Sequence, residues 1–267
     1  MKVREILSVL DQIAPLEYKE EWDNCGLLLG DMDADVRRIL ITLDVTDEVV
    51  NQAIQAKADL IISHHPLIFA PLKQINTDDF IAARILKLAN HKINYIAMHT
   101  NMDTTGLSDL ANDLLKIKKE RAIEVNINQD NPEIGIGSIG NFLDDNGNKV
   151  DITLRDAVLR TKNAFRLDIV KVYGNLDSVI EKVAVCTGSG KDMIEECIKE
   201  KCDLLITGDI TYHAGLDAYE RGLNIIDAGH YGTEIIFVDL LMAFFMMNFE
   251  NVFEIIPSIQ KEAGEYM

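Results

Sequence analysis

The sequence predicts an α/β fold made of two similar lobes. Two observations predict it: a strand–helix–strand pattern occurs twice along the chain, and its strands are continuous apolar runs, typical of strands covered on both faces by helices. We expect an N-terminal α/β lobe at 1–117, a bridging α+β segment at 118–177 and a C-terminal α/β lobe at 178–267, and the three parts could also form one compact domain.

The repeat joins residues 37–63 and 181–207, which align without a gap. Each copy begins with a β-rich run, passes through a polar turn into an amphipathic helix, and ends in a short apolar strand. A second match, at a different offset, joins residues 91–103 and 221–234. The simplest interpretation is two βαβαβ-like halves with parallel strands and right-handed crossovers, although unrelated βαβ units can also share such patterns.

The bridging segment has a different pattern. Its glycines and the sequence DDNGN at 144–148 indicate a strand pair joined by a turn. A helix is expected from about residue 154 to 164, followed by a strand at 165–174. These elements predict a small α+β structure between the two lobes.

Composition and charge restrict the partners. The chain has 44 acidic and 26 basic residues and a formal net charge of −18, so it should repel phosphate backbones and anionic lipids, and nucleic acid is an unfavourable partner. A small phosphorylated substrate stays compatible if bound cations reverse the local charge. The apolar run at 235–249 is interrupted by Asp239 and is shorter than a membrane span, which favours a buried helix. The absence of a signal peptide and of CxxC pairs predicts a reduced, cytoplasmic protein.

Histidines and acids follow the predicted strands. Ligands of open α/β sheets bind at the carboxyl ends of the strands, where the loops converge. Four loops carry candidate residues there: His64 and His65, His99 and Asp103, Asp209 and His213, and His230 and Glu234. His91 precedes its strand, so we expect it at the surface.

This combination of side chains predicts a metal site in the cleft between the lobes. Imidazole and carboxylate together suit zinc, manganese, iron or cobalt better than calcium. Adjacent residues of an extended chain point to opposite sides, so His64 and His65 fit two ions better than one. Glu234, four residues after His230, would return beside it on a helix and could bridge both ions. Asp103 completes the expected ligand set, although any one of these residues alone is more often an ordinary loop residue.

Other features have weaker interpretations. His99 and His213 are candidates for proton transfer next to the metals, and His213 could equally cap a helix. Trp22, in EEWDNCGLLLGD, could form part of a substrate wall, but a structural role is favoured. The turn in TGSGKDM could hold an anion, although a plain turn is the better interpretation. GIGSIG lacks the lysine of a phosphate-binding loop, and no organic cofactor is predicted.

The sequence resembles the Nif-three-like family, whose bacterial members are commonly named GTP cyclohydrolase 1 type 2 homologs. The matching motifs are WDNCGLLLGD, ADLIISHHPLIF, HTNMDTTGLSDLA, CTGSGKDM, TGDITYHAGLDA and DAGHYGTE. The resemblance implies a ring-shaped homohexamer of the short form, with a dinuclear centre of zinc, iron or manganese facing its interior. It also implies that His65 and Asp103 bind one ion, His64 and His230 the other, and Glu234 both.

Two functions fit these expectations. The first is a metal-dependent hydrolase acting on a nucleotide or another phosphorylated small molecule, with GTP ring opening as one reaction that needs an activated water. The second is a non-catalytic metal-handling or protein-interaction ring protein. The sequence identifies no nucleophile or base beyond the ligands, so whether the protein is an enzyme stays open here.

Overall fold

The computed structural model describes residues 1–125 and 131–264 and shows a mixed α/β fold, as the sequence predicts. It divides into two compact units: unit 1 is Met1–Met102 with Phe237–Met267, and unit 2 is Asp103–Ile236. These bounds differ from the three segments expected from the sequence. The chain returns to unit 1 after Ile236, and the bridging segment lies within unit 2, where it contributes three strands to the six-stranded sheet.

The elements, in chain order, are as follows. The strands are β1 (Gly26–Leu29), β2 (Arg38–Thr42), β3 (Leu60–Ser63), β4 (Asn94–Ala97), β5 (Ile117–Arg121), β6 (Ser138–Phe142), β7 (Ile152–Thr153), β8 (Lys171–Tyr173), β9 (Val179–Ile180), β10 (Val183–Ser189), β11 (Leu204–Gly208), β12 (Asn224–Asp227) and β13 (Glu254–Pro257). The helices are α1 (Val3–Ile13), α2 (Asp47–Gln55), α3 (Phe80–Asn90), α4 (Thr100–Met102), α5 (Ser108–Leu115), α6 (Leu154–Phe165), α7 (Ile194–Lys199), α8 (Tyr212–Glu220), α9 (His230–Glu234) and α10 (Ile236–Asn248).

Unit 1 is built on a five-stranded sheet in the order β1-β4-β3-β2-β13. The strands β13, β2, β3 and β4 run parallel, and β1 closes one edge antiparallel to β4. On one face, Val49 and Ala53 of α2 and Leu88 of α3 pack with Leu40 and Ile61 of the sheet. Because β3 and β4 are buried along their whole length, they show the continuous apolar runs seen in the sequence.

Unit 2 is built on a six-stranded sheet in the order β5-β6-β10-β11-β12-β8. Its three central strands, β10, β11 and β12, are parallel, and the others are antiparallel to their neighbours. Cys197 of α7 and Ala218 of α8 pack against Leu205 and Ile225 of the sheet. Cys197 therefore serves as a small apolar core residue, and all four cysteines of the chain are free thiols.

The repeat found in the sequence is also a repeat of strand pairing. Ile39 pairs with Leu60 between β2 and β3, and Val183 pairs with Leu204 between β10 and β11. In each unit the next strand in sequence continues the parallel order, and an antiparallel strand follows at the edge. The parallel strands that the repeat predicts are therefore present in both units.

The copies also share one polar contact. Asp59 Oδ2 accepts hydrogen bonds from two successive backbone N–H groups, those of residues 37 and 38, at 2.8 and 2.9 Å. Asp203 Oδ2 does the same with residues 181 and 182, at 3.0 and 2.8 Å. One carboxylate thus satisfies two donors at the start of the neighbouring strand, which fixes where the two strands begin to pair.

The bridging segment follows its predicted pattern in part. The predicted strand pair around the turn at 144–148 is wrong, because β6 pairs with β5 and β10 and β7 pairs with β9, and only an isolated bridge joins Leu143 to Lys149. The helix expected at 154–164 is α6, which begins after the Thr153 cap and ends at Arg166 in the left-handed conformation. The turn at 144–148 forms around Asp144, whose backbone carbonyl accepts from Gly147 N–H at 3.1 Å. The strand expected at 165–174 is shorter, because β8 begins only at Lys171 after the helix has ended.

The apolar run near the C-terminus forms α9 and α10. The helical stretch His230–Asn248 has 19 residues and is long and apolar enough to cross a membrane by length and composition alone, a test that core helices also pass. Phe237, Leu241 and Phe245 are buried, whereas Met246 and Met247 are exposed. The expected buried helix is therefore present in part: one face of α10 is buried, and its last turn is exposed.

Candidate metal centre

Three histidines of unit 1 stand together at the carboxyl ends of its strands. His64 and His65 directly follow β3, and His99 follows β4 by two residues. Each offers one ring nitrogen, and these three atoms lie within 4.8 Å of one another. His64 is fully buried, and the other two are partly exposed. Neighbouring parallel strands end at the same edge of the sheet, which is why residues far apart in sequence meet here.

Each of these rings is oriented through its Nδ1 atom. The acceptors are Met98 O for His64 (2.8 Å), Asp44 Oδ1 for His65 (2.8 Å) and Asp23 Oδ1 for His99 (2.9 Å). A carbonyl or carboxylate oxygen can only accept, so Nδ1 carries a proton, and in the neutral ring the lone pair is on Nε2. Histidines that bind metals are usually held in this way, since the second partner fixes the tautomer and the ring direction.

Asp23 is the buried centre of a hydrogen-bond network. Its Oδ2 accepts from Thr100 Oγ1 at 2.6 Å, from Thr100 N–H at 3.1 Å and from Cys25 Sγ at 3.0 Å. Burial alone would raise the pKa of Asp23, but the hydrogen bonds from His99 and Thr100 hold this pKa well below its usual range. Asp23 is therefore a carboxylate that stays ionised, and it orients His99.

Unit 2 contributes a histidine and a glutamate on one short helix. His230 Nδ1 donates to Asp209 Oδ2 at 2.7 Å, and His230 Nε2 lies 2.9 Å from Glu234 Oε2. Glu234 thus returns beside His230, as the spacing of four residues predicts, although the helix begins at His230 and not at Tyr231. Glu234 is 3% exposed, so its charge is held in a buried environment where a cation would stabilise it.

Gly188 provides the space for this carboxylate. It has φ +69°, and a Cβ atom placed on it would overlap Glu234 Oε1 and lie 3.4 Å from His230 Nε2. Its N–H donates to Thr233 Oγ1 at 2.9 Å, which ties the end of β10 to α9. The glycine of the TGSGKDM motif therefore lets the backbone approach the Glu234 side chain, which the sequence alone did not reveal.

Asp103 lies in unit 2 at the start of a π-helical turn, Asp103–Leu107, which runs into α5. Such turns occur often at functional sites, because they shift a side chain out of the regular helical position. Burial raises the pKa of the Cys186 thiol, and the negative charges of Asp103 and Glu234 raise it further. Asp103 and Glu234 thus place their charges near the same buried thiol within this unit.

The remaining histidines stand apart from these groups. His213 is exposed in the first turn of α8, and its ring lies 5.2 Å from that of Tyr212. The cap position of α8 is Thr211, so His213 does not cap the helix, and no cluster of potential metal ligands in residues 1–125 and 131–264 includes it. His91 is exposed at the end of α3, as predicted.

Sequence reasoning missed two of the carboxylates that orient the histidines. Asp44 follows β2 at the same sheet edge as His65, and this position was the signal that could have identified it. Asp23 lies in the motif that was interpreted as structural. Asp209 was recognised as following its strand, but its contact with His230 was not predicted.

The fold and these groups define a class of protein. It is an α/β protein that holds histidines and carboxylates at its strand ends as potential metal ligands. The chain belongs to the Duf34/NIF3 (NGG1p interacting factor 3) family, whose sequence pattern it matches over residues 1–262. The resemblance that the motifs indicate is thereby confirmed.

Curated relatives and solved structures agree with this assignment. The chain is 35% identical to the GTP cyclohydrolase 1 type 2 homolog of Clostridium acetobutylicum over 236 residues, covering 88% of this chain and 85% of that protein. The similarly named protein of Clostridium perfringens is also 35% identical, with 88% and 87% covered. Among structures, Staphylococcus aureus protein SA1388 matches with a TM-score of 0.84 and 29% identity, covering 100% of this chain and 99% of that one. Reduced HcgD from Methanocaldococcus jannaschii matches with a TM-score of 0.82 and 28% identity, covering 96% and 97%.

Proposed function

We propose that this protein binds two divalent metal ions, zinc, iron or manganese, and is a metal-dependent hydrolase of nucleotides or other phosphorylated small molecules. The proposed ligands are His64, His65, Asp103, His230 and Glu234. In this arrangement His65 and Asp103 bind one ion, His64 and His230 bind the other, and Glu234 bridges them.

The observation that carries the proposal is the common orientation of the histidines. Nδ1 of His64, His65 and His230 is bound to an oxygen that only accepts, which leaves Nε2 as the nitrogen that can donate a lone pair to a metal. The exposed His91 also holds Nδ1 to a backbone carbonyl, but it belongs to no group of potential ligands in residues 1–125 and 131–264, whereas one ring nitrogen each of His64, His65 and His99 lies within 4.8 Å of the others. The close approach of Glu234 to His230 adds a charged oxygen of the kind that such ions accept beside imidazole.

The residues of this chain prepare the site for such chemistry. When bound, two metal ions lower the pKa of a water molecule and stabilise negative charge that develops on the substrate. Asp44 and Asp209 keep His65 and His230 in one tautomer and make their Nε2 atoms more basic. We assign proton transfer to His99, because Asp23 holds its ring in a fixed orientation next to His64 and His65. The name carried by the Clostridium relatives points to a nucleotide as the substrate class.

Metal content and turnover test the proposal together. We expect about two divalent ions per chain in the wild type, measured by elemental analysis, since both ions are needed for a two-metal reaction. Glu234→Gln should lose at least one ion, because an amide is a poor bridging ligand. His91→Ala is the matched control, since His91 is exposed and holds Nδ1 to Lys87 O at 2.8 Å without belonging to the site.

The measurement continues with hydrolysis of GTP and a panel of phosphoesters. We expect His99→Gln to keep its metal and to lose at least ten-fold in turnover, in line with the loss of a general acid or base. Full metal content in Glu234→Gln would overturn the ligand set. If the wild type holds two ions and hydrolyses none of the compounds, the proposed hydrolase activity is overturned and a metal-handling role is favoured.

We also propose that the chain assembles as a homohexamer. The support in the structure is the exposed apolar surface at the end of α10, where Met246 and Met247 are 62% and 84% exposed. Exposed apolar patches on folded proteins usually mark interaction surfaces.

A further inference from the structure

Two large aromatic side chains are exposed side by side next to His99. Trp22 is 59% exposed and Phe69 is 54% exposed, and their ring centroids lie 5.9 Å apart. The centroid of the His99 ring is 6.2 Å from that of Trp22 and 6.4 Å from that of Phe69. We call this pair, Trp22 and Phe69, the aromatic corner.

The backbone that carries the aromatic corner is fixed by buried and polar contacts. Asn24 Nδ2 donates to Ile68 O at 2.6 Å, which joins the chain next to Trp22 to the chain next to Phe69. Asp23, whose side chain is fully buried, anchors the residue following Trp22 through its hydrogen bonds with His99 and Thr100. Lys19 Nζ donates to Asp23 O at 3.0 Å. The two exposed rings are therefore presented by segments that are tied together.

Such exposure forgoes the stabilisation that burial of the two rings would give. Each ring leaves more than half of its surface in water, although burying a large aromatic side chain stabilises a protein by about 1.5–3 kcal/mol. Scattered exposed apolar residues are common, but two adjacent aromatic rings beside polar groups of a candidate site are typical of a ligand surface.

From this arrangement we infer that the aromatic corner binds the planar heteroaromatic ring of the substrate next to His99. The inference rests on the proposed function and deepens it, because it assigns the residues that hold the ring of the substrate beside the same site. It concerns unit 1 alone, where Trp22, Phe69 and His99 all lie.

The geometry of the aromatic corner favours a flat ring. The two ring planes meet at 59°, so they form an open angle and not two parallel walls. A planar ring that stacks on the face of Trp22 would therefore meet Phe69 obliquely, an arrangement close to the edge-to-face contacts that aromatic pairs favour. A simple phosphate has no flat face and would gain little from these two rings.

His99 connects the aromatic corner to the candidate metal ligands. Its ring centroid is 5.2 Å from that of His64 and 5.6 Å from that of His65, while Trp22 and Phe69 lie within 6.4 Å of it. A substrate ring bound at the aromatic corner would thus be separated from the proposed ligands His64 and His65 only by the imidazole of His99. This distance suits a substrate whose aromatic ring is bound at the corner and whose reacting group lies at the metal ions.

Trp22 fluorescence tests the inference directly, because Trp22 is the only tryptophan in the chain. The full-length protein is titrated, metal-free and metal-loaded, with guanosine, with ribose 5-phosphate and with tetramethylammonium. We expect guanosine to quench Trp22 saturably in both forms, and the other two compounds to have no saturable effect. Phe69→Leu should weaken guanosine binding about three-fold to ten-fold, since it removes one aromatic contact.

Phe80→Leu is the matched control. Phe80 is 61% exposed at the start of α3, so this variant makes the same substitution at an exposed phenylalanine outside the aromatic corner. Equal quenching by ribose 5-phosphate, or saturable binding of tetramethylammonium in place of guanosine, would overturn the inference. Unchanged guanosine binding in Phe69→Leu would also overturn it. A changed oligomeric state of this variant in gel filtration would overturn it too, because the aromatic corner would then be a contact between subunits. Guanosine binding to metal-free protein supports the corner even if the metal proposal fails, so the two failures are distinguishable.

Discussion

At the scale of single residues, the partners of the histidines explain the candidate site better than the histidines do. His65, His99 and His230 each donate Nδ1–H to a carboxylate, and His64 donates to a backbone carbonyl. These partners decide which nitrogen can bind a metal and in which direction that nitrogen points. Residues that are not themselves potential ligands are therefore part of the candidate site.

Gly188 allows the close approach of the backbone to the Glu234 side chain to be tested. We expect Gly188→Ala to lower the metal content, because the new Cβ would overlap Glu234 Oε1 and displace the carboxylate. The substitution also places alanine at φ +69°, which should cost about 1–2 kcal/mol of folding free energy. Elemental analysis and chemical denaturation measure the two effects.

Gly147→Ala is the control for the strain. Gly147 has φ +81° and nothing within 4 Å of an added Cβ, so this variant should lose stability but keep its metal. Equal metal content in Gly188→Ala and the wild type would contradict the role assigned to Gly188.

Asp23 makes stability depend on pH. Because its pKa is lowered in the folded state, its contribution is fully present above about pH 5 and is lost as pH falls below the value of about 3.9 of an unfolded aspartate. We expect Asp23→Asn to lower the free energy of unfolding by about 2–4 kcal/mol at pH 7, since several donors lose a charged acceptor. The difference from the wild type should stay constant down to about pH 5 and then shrink as the pH falls below about 4. A difference in thermal unfolding that is the same at about pH 3 as at pH 6 would refute the prediction.

At the scale of elements, the repeat shows how local chemistry sets strand pairing. In both units the aspartate just before the second parallel strand accepts from two successive backbone N–H groups where the first strand begins or just before it. In both units an asparagine begins the third strand, and Asn94 and Asn224 donate to the carbonyl of that aspartate at 2.9 and 2.8 Å. The same side chains thus align three strands in each copy.

Asp203 provides a test at this scale. Asp203→Ala should destabilise the protein by about 1–3 kcal/mol, because it leaves two backbone N–H groups at the start of β10 without their acceptor. Asp203→Asn keeps an acceptor oxygen and should recover most of the loss. Chemical denaturation measures both, and equal stability of the alanine and asparagine variants would show that the hydrogen bonds do not matter.

At the scale of the whole molecule, we expect the exposed end of α10 to be a contact between the subunits of the proposed hexamer. Met247→Glu should shift the protein to smaller species, because a buried charge without a partner is costly at an interface. Light scattering after gel filtration measures the mass. Met32→Glu is the control, since Met32 is a methionine that is 40% exposed elsewhere in unit 1. An unchanged mass for Met247→Glu would exclude this surface as the contact.

The sequence by itself determined the α/β class, the two parallel βαβ repeats, the helix α6 and the histidines at the strand ends. These features depend on contacts within short stretches, and their apolar periodicity is visible in the chain. The return of β13 to pair with β2, by contrast, joins Ile255 to Ile39, which are too far apart for any local pattern to connect.

The tertiary structure decided how the histidines are held. The contacts from His65 to Asp44, from His99 to Asp23 and from Gly188 to Glu234 depend on which strand ends and turns meet. Which strand ends and turns meet depends on how the sheets are buried and on how closely backbone segments pack. Both are properties of the packed chain as a whole. A sequence pattern can identify the residue types that suit a metal, but only the folded backbone brings their orienting partners within hydrogen-bonding distance.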